Sequence, residues 1–240
     1  MALGNDANVS NLGRTPADVD NIKVLANARA SFTGAIDALE PITFKLESGS
    51  TLKVAAADEG KGALDFGKLT LASGSNLSTA RDISANVVAS DGGKVTVASG
   101  ATATIRSSTT VNLGLSGNGT IELRDAGSAN FFLTSTGNDF TGTLIVNADK
   151  HYILIGSDSA DGATLFADGA RPDLVLAGGD GTIGLVLRNS YRAGANDADV
   201  DGHSLKIGSL SSESELATIS GAYKEGSAGH TYIDTNQSTT

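Results

Sequence analysis

The stretch "FKLESGSTLKV" (Phe44–Val54) is followed by two variants of itself, "LTLASGSNL" (Leu69–Leu77) and "VTVASGATATI" (Val95–Ile105). Each joins an apolar–polar–apolar triplet to a second alternating run through a Ser-Gly corner. Alternation with a period of two places one face of a strand against a core and the other in solvent. Glycine at the corner accepts the positive φ that a sharp turn demands. The shared glycines Gly49, Gly74 and Gly100 stand 25 and 26 positions apart.

The same triplet recurs as Ile121-Glu122-Leu123 and Leu205-Lys206-Ile207, with Gly, Ser, Asn or Asp closing nearly every strand after about 8–12 residues. Short strands so spaced suit a sandwich, a barrel or a solenoid. Self-similarity at a longer interval selects the solenoid, because about 25 residues is what one coil of a parallel β-helix needs. The expected fold is therefore all-β, a right-handed parallel β-helix with about 25 residues per coil, and a β-sandwich is the alternative. Roughly eight coils stacked at about 4.8 Å would make a rod on the order of 40 Å long.

Composition agrees with that reading. The 240 residues include 30 glycines, only 3 prolines, 5% aromatics and no tryptophan, which suggests many corners and a narrow interior of small aliphatics without bulky rings. A net charge of −10 without clustered Lys or Arg argues against nucleic acid as a partner. No run approaches the roughly 18 apolar residues of a membrane helix, so membrane insertion is not expected. Absence of cysteine excludes disulfides and thiol chemistry.

Residues 1–40 read as an N-terminal cap or first irregular coil, and residues 41–240 as the β-helix proper. Thr15 followed by Pro16 has the form of a helix start, and a capping helix through about Ala28 is one reading. The alternative is a first strand at "IKVL" (Ile22–Leu25). The N-terminus lacks a signal-peptide pattern and the chain closes on "YIDTNQSTT", which reads as a segment of a longer repeat protein. Beyond residue 130 the corners lengthen, most of all in "RNSYRAGANDADVDGHS".

"LSGNGTIELRD" (Leu115–Asp125) followed by "GNDFTGTLIVNAD" (Gly137–Asp149) resembles the autotransporter-associated β-strand repeat. The likeness is carried by Gly117, Gly119, Thr120, Ile121 and Leu123 in a G-x-G-T-apolar strand. It continues through Asn138, Phe140, Thr141, Gly142, Leu144, Val146 and Asn147, an Asn-x-aromatic-Thr-Gly strand with its Asn corner. The resemblance covers about residues 115–150 and implies a bacterial passenger-type β-helix, extracellular or at the cell surface, with adhesive or scaffolding roles.

Candidate chemistry is sparse. Asp197, Asp199 and Asp201 before Gly202 have the spacing of the first half of a calcium loop, with Glu213 or Glu215 as completing ligands. Gly208 stands where such a loop wants a bidentate Glu, and a solvated acidic excursion is the competing reading. Calcium is the one cofactor the sequence raises. Arg188, Tyr191 and Arg192 interleave cations with an aromatic ring suited to stacking on a sugar or contacting a partner.

"GDGTIG" (Gly179–Gly184) satisfies a dinucleotide fingerprint, but a β-like run follows where a helix is required. His151, His203 and His230 pair with no nucleophile. Asp58, Glu59, Asp82 and Asp91 would be the acids of a carbohydrate-cleaving face.

Two classes of function follow from the residues. One is a non-enzymatic structural or adhesive β-helix, binding glycan or protein through loops between about Asn189 and His203 or acting as a spacer. The other is a polysaccharide lyase or glycoside hydrolase on the same scaffold. End-to-end association of copies is a further expectation, because the ends of a solenoid expose unpaired strands.

Overall fold

The computed structural model describes residues 1–9, 21–33, 43–56, 63–156, 165–178, 184–188, 204–222 and 232–235. Among them every strand pairing is parallel and there is no helix. Parallel strands cannot be joined by tight hairpins. The chain instead winds and returns above its own start, as a β-solenoid with turns roughly 22 residues apart. The sandwich alternative falls with that observation.

Three faces build the stack. The first begins with Ala2–Leu3, Asn21–Val24, Thr43–Leu46, Leu64–Leu71 and the start of Ile83–Val97. It continues through Thr102–Ser107, Thr120–Asp125, Thr143–Asn147, Asp173–Leu176 and Leu210–Ser212. The second holds Ala7–Val9, Arg29–Phe32, Thr51–Val54, Asn76–Thr79 and the end of Ile83–Val97. The strand Thr110–Gly117 then turns a corner of the cross-section. Its last residues pair with the second face, whereas Thr110 and Val111 open the third face over Phe132 and Leu133. That third face runs on through Ile153–Ile155, Leu185–Arg188 and Ile219–Ala222. A separate pair joins Ser204–Ile207 to Tyr232–Thr235.

The spacing varies more than a fixed 25-residue coil allows. Lys23 lies beside Lys45, 22 positions on, and Lys45 beside Thr70, 25 positions on. The step shrinks to 18 between Thr102 and Thr120 and grows to 30 between Thr143 and Asp173. Ladder pairing fixes only the strands, so corners absorb the difference in loop length.

The first two copies of the opening motif do lie over one another, but the third does not. Asp6, Asn27, Gly49, Gly74 and Gly92, all at positive φ, occupy the corner between first and second faces in successive turns. The amide of Asn27 donates to the Ser48 carbonyl and that of Gly49 to the Ser73 carbonyl. Gly100 belongs to a different corner. Val95 pairs with Leu77 in the second face, and Ala103 with Ile83 in the first. The 26-residue interval is thus one short turn of 18 from Gly74 to Gly92 plus a step of 8 along the chain. The same Ala-Ser-Gly corner serves both bends because each needs one left-handed residue between two half-buried strands.

Residues 21–24 settle the N-terminal alternatives. Ile22 and Val24 are buried while Asn21 and Lys23 face solvent, and Asn21–Val24 is a strand. A helix through Ala28 is therefore corrected to strand; residues 10–20 lie outside the described residues. Asn21–Val24 pairs in register with Thr43–Leu46 across the boundary read at residue 40.

The interior also differs from the expectation of small aliphatics alone. All seven phenylalanines are buried, six of them fully, among stacked Leu, Ile, Val and Ala. Phe44 meets Phe66 edge-on with ring centroids 4.5 Å apart. Small and large side chains alternate between turns, Ala85 beside Ile105 and Ala103 between Ile83 and Ile121, which keeps the packed volume roughly constant along the stack.

Candidate functional site

Two buried polar groups tie successive turns together and explain much of the motif at residues 115–150. The first is Asn138, 5% exposed. Its Oδ1 accepts the Leu115 amide at 2.7 Å, and its Nδ2 donates to the Leu165 carbonyl at 2.6 Å and to Ser135 Oγ at 3.1 Å. Its own backbone bridges to Phe166. A side-chain amide thus replaces ladder hydrogen bonds where the second face ceases to be regular strand.

Neighbouring motif residues have equally local causes. Phe140 is fully buried, and the Thr141 amide donates to the Gly117 carbonyl. At Gly142 a Cβ would overlap the carbonyl oxygen of Gly119. Asn147 Nδ2 donates to Glu122 Oε1 at 2.7 Å.

The second tie is Asp125. One carboxylate oxygen accepts the amides of Asp149, Lys150 and His151 at 2.9, 2.7 and 2.9 Å, and the other accepts the Gly127 amide at 2.9 Å. Burial pushes its pKa up, but the backbone hydrogen bonds from His151, Lys150, Asp149 and Gly127 together outweigh it and hold the carboxyl below its ordinary value. His151 therefore takes part through its backbone amide.

The outward side of the second face is a polar surface. One column carries Arg29, Thr51, Asn76 and Lys94 in adjacent turns. The next carries Ser31, Lys53, Ser78 and Thr96. Arg29, Lys53 and Lys94 are exposed, and among the described residues none of the three forms an ion pair. Thr96 Oγ1 donates to Asn76 Oδ1 at 3.0 Å, linking neighbouring turns. Among the described residues no carboxylate points outward from Ala7–Val9, Arg29–Phe32, Thr51–Val54 or Asn76–Thr79, or from residues 94–97; Asp91, exposed and paired with Asn112, stands at the edge of this face, Asp6 at the corner before it, and Asp139 follows where regular strand ends. The first face is mixed by contrast, with Lys23 bound to Glu47 at 2.6 Å and Glu122 accepting from Thr104 at 3.0 Å. Glu47 is held below its ordinary pKa by that hydrogen bond from Lys23.

The sites read from sequence fall largely elsewhere. Asp197, Asp199, Asp201, Tyr191 and Arg192 lie outside the described residues, as do Asp58, Glu59, His203 and His230. Arg188 ends a strand of the third face, its backbone paired with Ala222. Gly184 leads directly into the strand Leu185–Arg188, so no helix N-terminus stands behind the glycine fingerprint. Asp82 accepts the Thr102 amide at 2.8 Å at the corner between second and first faces, whereas Asp91 sits at the opposite corner beside Asn112. The structure does not bring these two acids onto one surface.

Sequence reasoning passed over the cations of the second face because each sits alone among Ser, Thr and Asn; only register, which adds turns side by side, gathers them. A tally of the outward position of every triplet was the available signal. No family model, curated protein or solved structure matches the chain.

Proposed function

We propose that the protein is a non-enzymatic, extracellular or cell-surface structural and adhesive β-helix module, acting as a rigid spacer that presents its faces and loops to glycan or protein. The observation that carries this reading is the continuous parallel ladder from Ala2 to Ser212, reinforced by Asn138 and Asp125. A stack in which each turn is bonded to the next resists bending and offers long, regular surfaces. The likeness of residues 115–150 to passenger repeats supports the bacterial surface setting. End-to-end contact of copies belongs to the same reading, since among the described residues Ala2–Leu3 and Leu210–Ser212 each pair on one side only. Calcium on Asp197, Asp199 and Asp201 would be an accessory to it.

Incubation of the purified chain with a panel of polysaccharides tests the proposal. The expected result is no release of reducing or unsaturated ends. Release, abolished by substituting a carboxylate, would replace the spacer with the lyase or hydrolase reading.

A further inference from the structure

We infer that the outward side of the second face binds a linear acidic polysaccharide, with Arg29, Lys53 and Lys94 pairing its carboxylates and Thr51, Asn76 and Thr96 meeting its hydroxyls. The inference rests on the adhesive reading above and names the partner and the surface. In a chain of net charge −10, a strand surface that among the described residues holds three exposed cations, with a carboxylate only at its edge in Asp91, is a local reversal of sign. Such a surface attracts polyanions, which the acidic remainder of the chain repels.

Register sets the pattern. Arg29 and Lys53 stand in adjacent turns, two residues apart along the strand direction, which puts their Cα atoms about 8 Å apart. Lys53 and Lys94 are two turns and two residues apart, about 12 Å. Cations at such intervals, with hydroxyl and amide groups between them, match a chain that carries charges separated by hydroxyl-bearing rings.

Other partners fit less well. The outward strand positions of this surface hold no aromatic side chain to stack on bases or on the apolar side of a neutral sugar. It has none of the Trp or Tyr anchors of a protein hot spot. Duplex nucleic acid calls for an element that enters a groove and for denser cations.

The test is retention of the intact chain on immobilised polygalacturonate, with dextran as the neutral control. The expected result is retention at about 50 mM salt on polygalacturonate alone, weakening roughly 20-fold by about 200 mM as three counterions are recaptured. The combined substitution Arg29→Gln, Lys53→Gln and Lys94→Gln should lower affinity by about tenfold or more. Lys23→Gln with Lys45→Gln, on the first face, should leave it unchanged. Circular dichroism confirms that each variant keeps its β-sheet, as exposed side chains allow. No retention of the wild type at low salt overturns the inference, as does equal loss from both sets of substitutions or tighter binding of single-stranded DNA. Cleavage of polygalacturonate with binding intact would overturn the non-enzymatic reading and leave this surface in place.

Discussion

Asp125 shows how one side chain can hold a corner that no strand reaches. Its carboxylate gathers three consecutive amides of the next turn, and a charged acceptor makes each bond stronger than a neutral one would be. Asp125→Asn puts a donor where an acceptor is needed, and the expected loss is about 3 kcal/mol near neutral pH, read from urea denaturation. The pH dependence follows from the direction of its shift. Because the folded pKa is depressed, the contribution is complete above the unfolded value, about pH 4, and disappears as pH falls below it toward the folded value. The wild type should therefore lose stability below about pH 4 more steeply than Asp125→Asn, and parallel curves would refute the assignment. Gly142 is a second such position. Its neighbour is a backbone carbonyl, which cannot swing aside, so Gly142→Ala should cost about 3 kcal/mol in the same assay.

At the scale of the strand and its corner, the sequence was informative where burial decides and silent where register decides. Alternation marked Leu52-Lys53-Val54, Leu69-Thr70-Leu71 and Ile121-Glu122-Leu123 as strands, and each is one with its apolar members buried. The stacking of Gly49 and Gly74 was legible from turn chemistry, whereas Asp6 and Asn27, which extend the same column without being glycine, were not. The misplacement of Gly100 arose because corners of both kinds accept the same residues, and only pairing partners tell them apart. Asn138 was legible as a motif position but not in its role: nothing in the sequence says that it is buried and joins Leu115 to Leu165. Asn138→Ala should lower stability by about 3 kcal/mol, since it strands buried backbone groups in two turns. Amide exchange at Leu115 gives the sharper check. It should accelerate in the variant well beyond that of Ile121, whose ladder partners are untouched; equal acceleration would make Asn138 a general packing residue instead of a tie.

For the whole molecule, the change of cross-section at Thr110–Gly117 means that two differently shaped stretches share one stack, the first and second faces before it and the first and third after it. Coupling between them must pass turn by turn, because each strand pairs only with the strands directly above and below. A stack of this kind has stability approximated by local terms plus nearest-neighbour interfaces. Phe44 and Phe140, both fully buried, lie in the two stretches, about four stacking steps or roughly 20 Å apart. Truncation of either to alanine leaves a large cavity and should cost about 3–5 kcal/mol. At that separation the double variant should show the sum of the two losses within about 0.5 kcal/mol. Hydrogen exchange then locates the damage. With Phe44→Ala, protection should fall across Asn21–Val24 and Leu64–Leu71, which flank it, and persist in Thr120–Asp125 and Thr143–Asn147. Uniform loss of protection along the chain would show that the stack melts as one unit, and with it the picture of a rod held by contacts between adjacent turns would have to be given up.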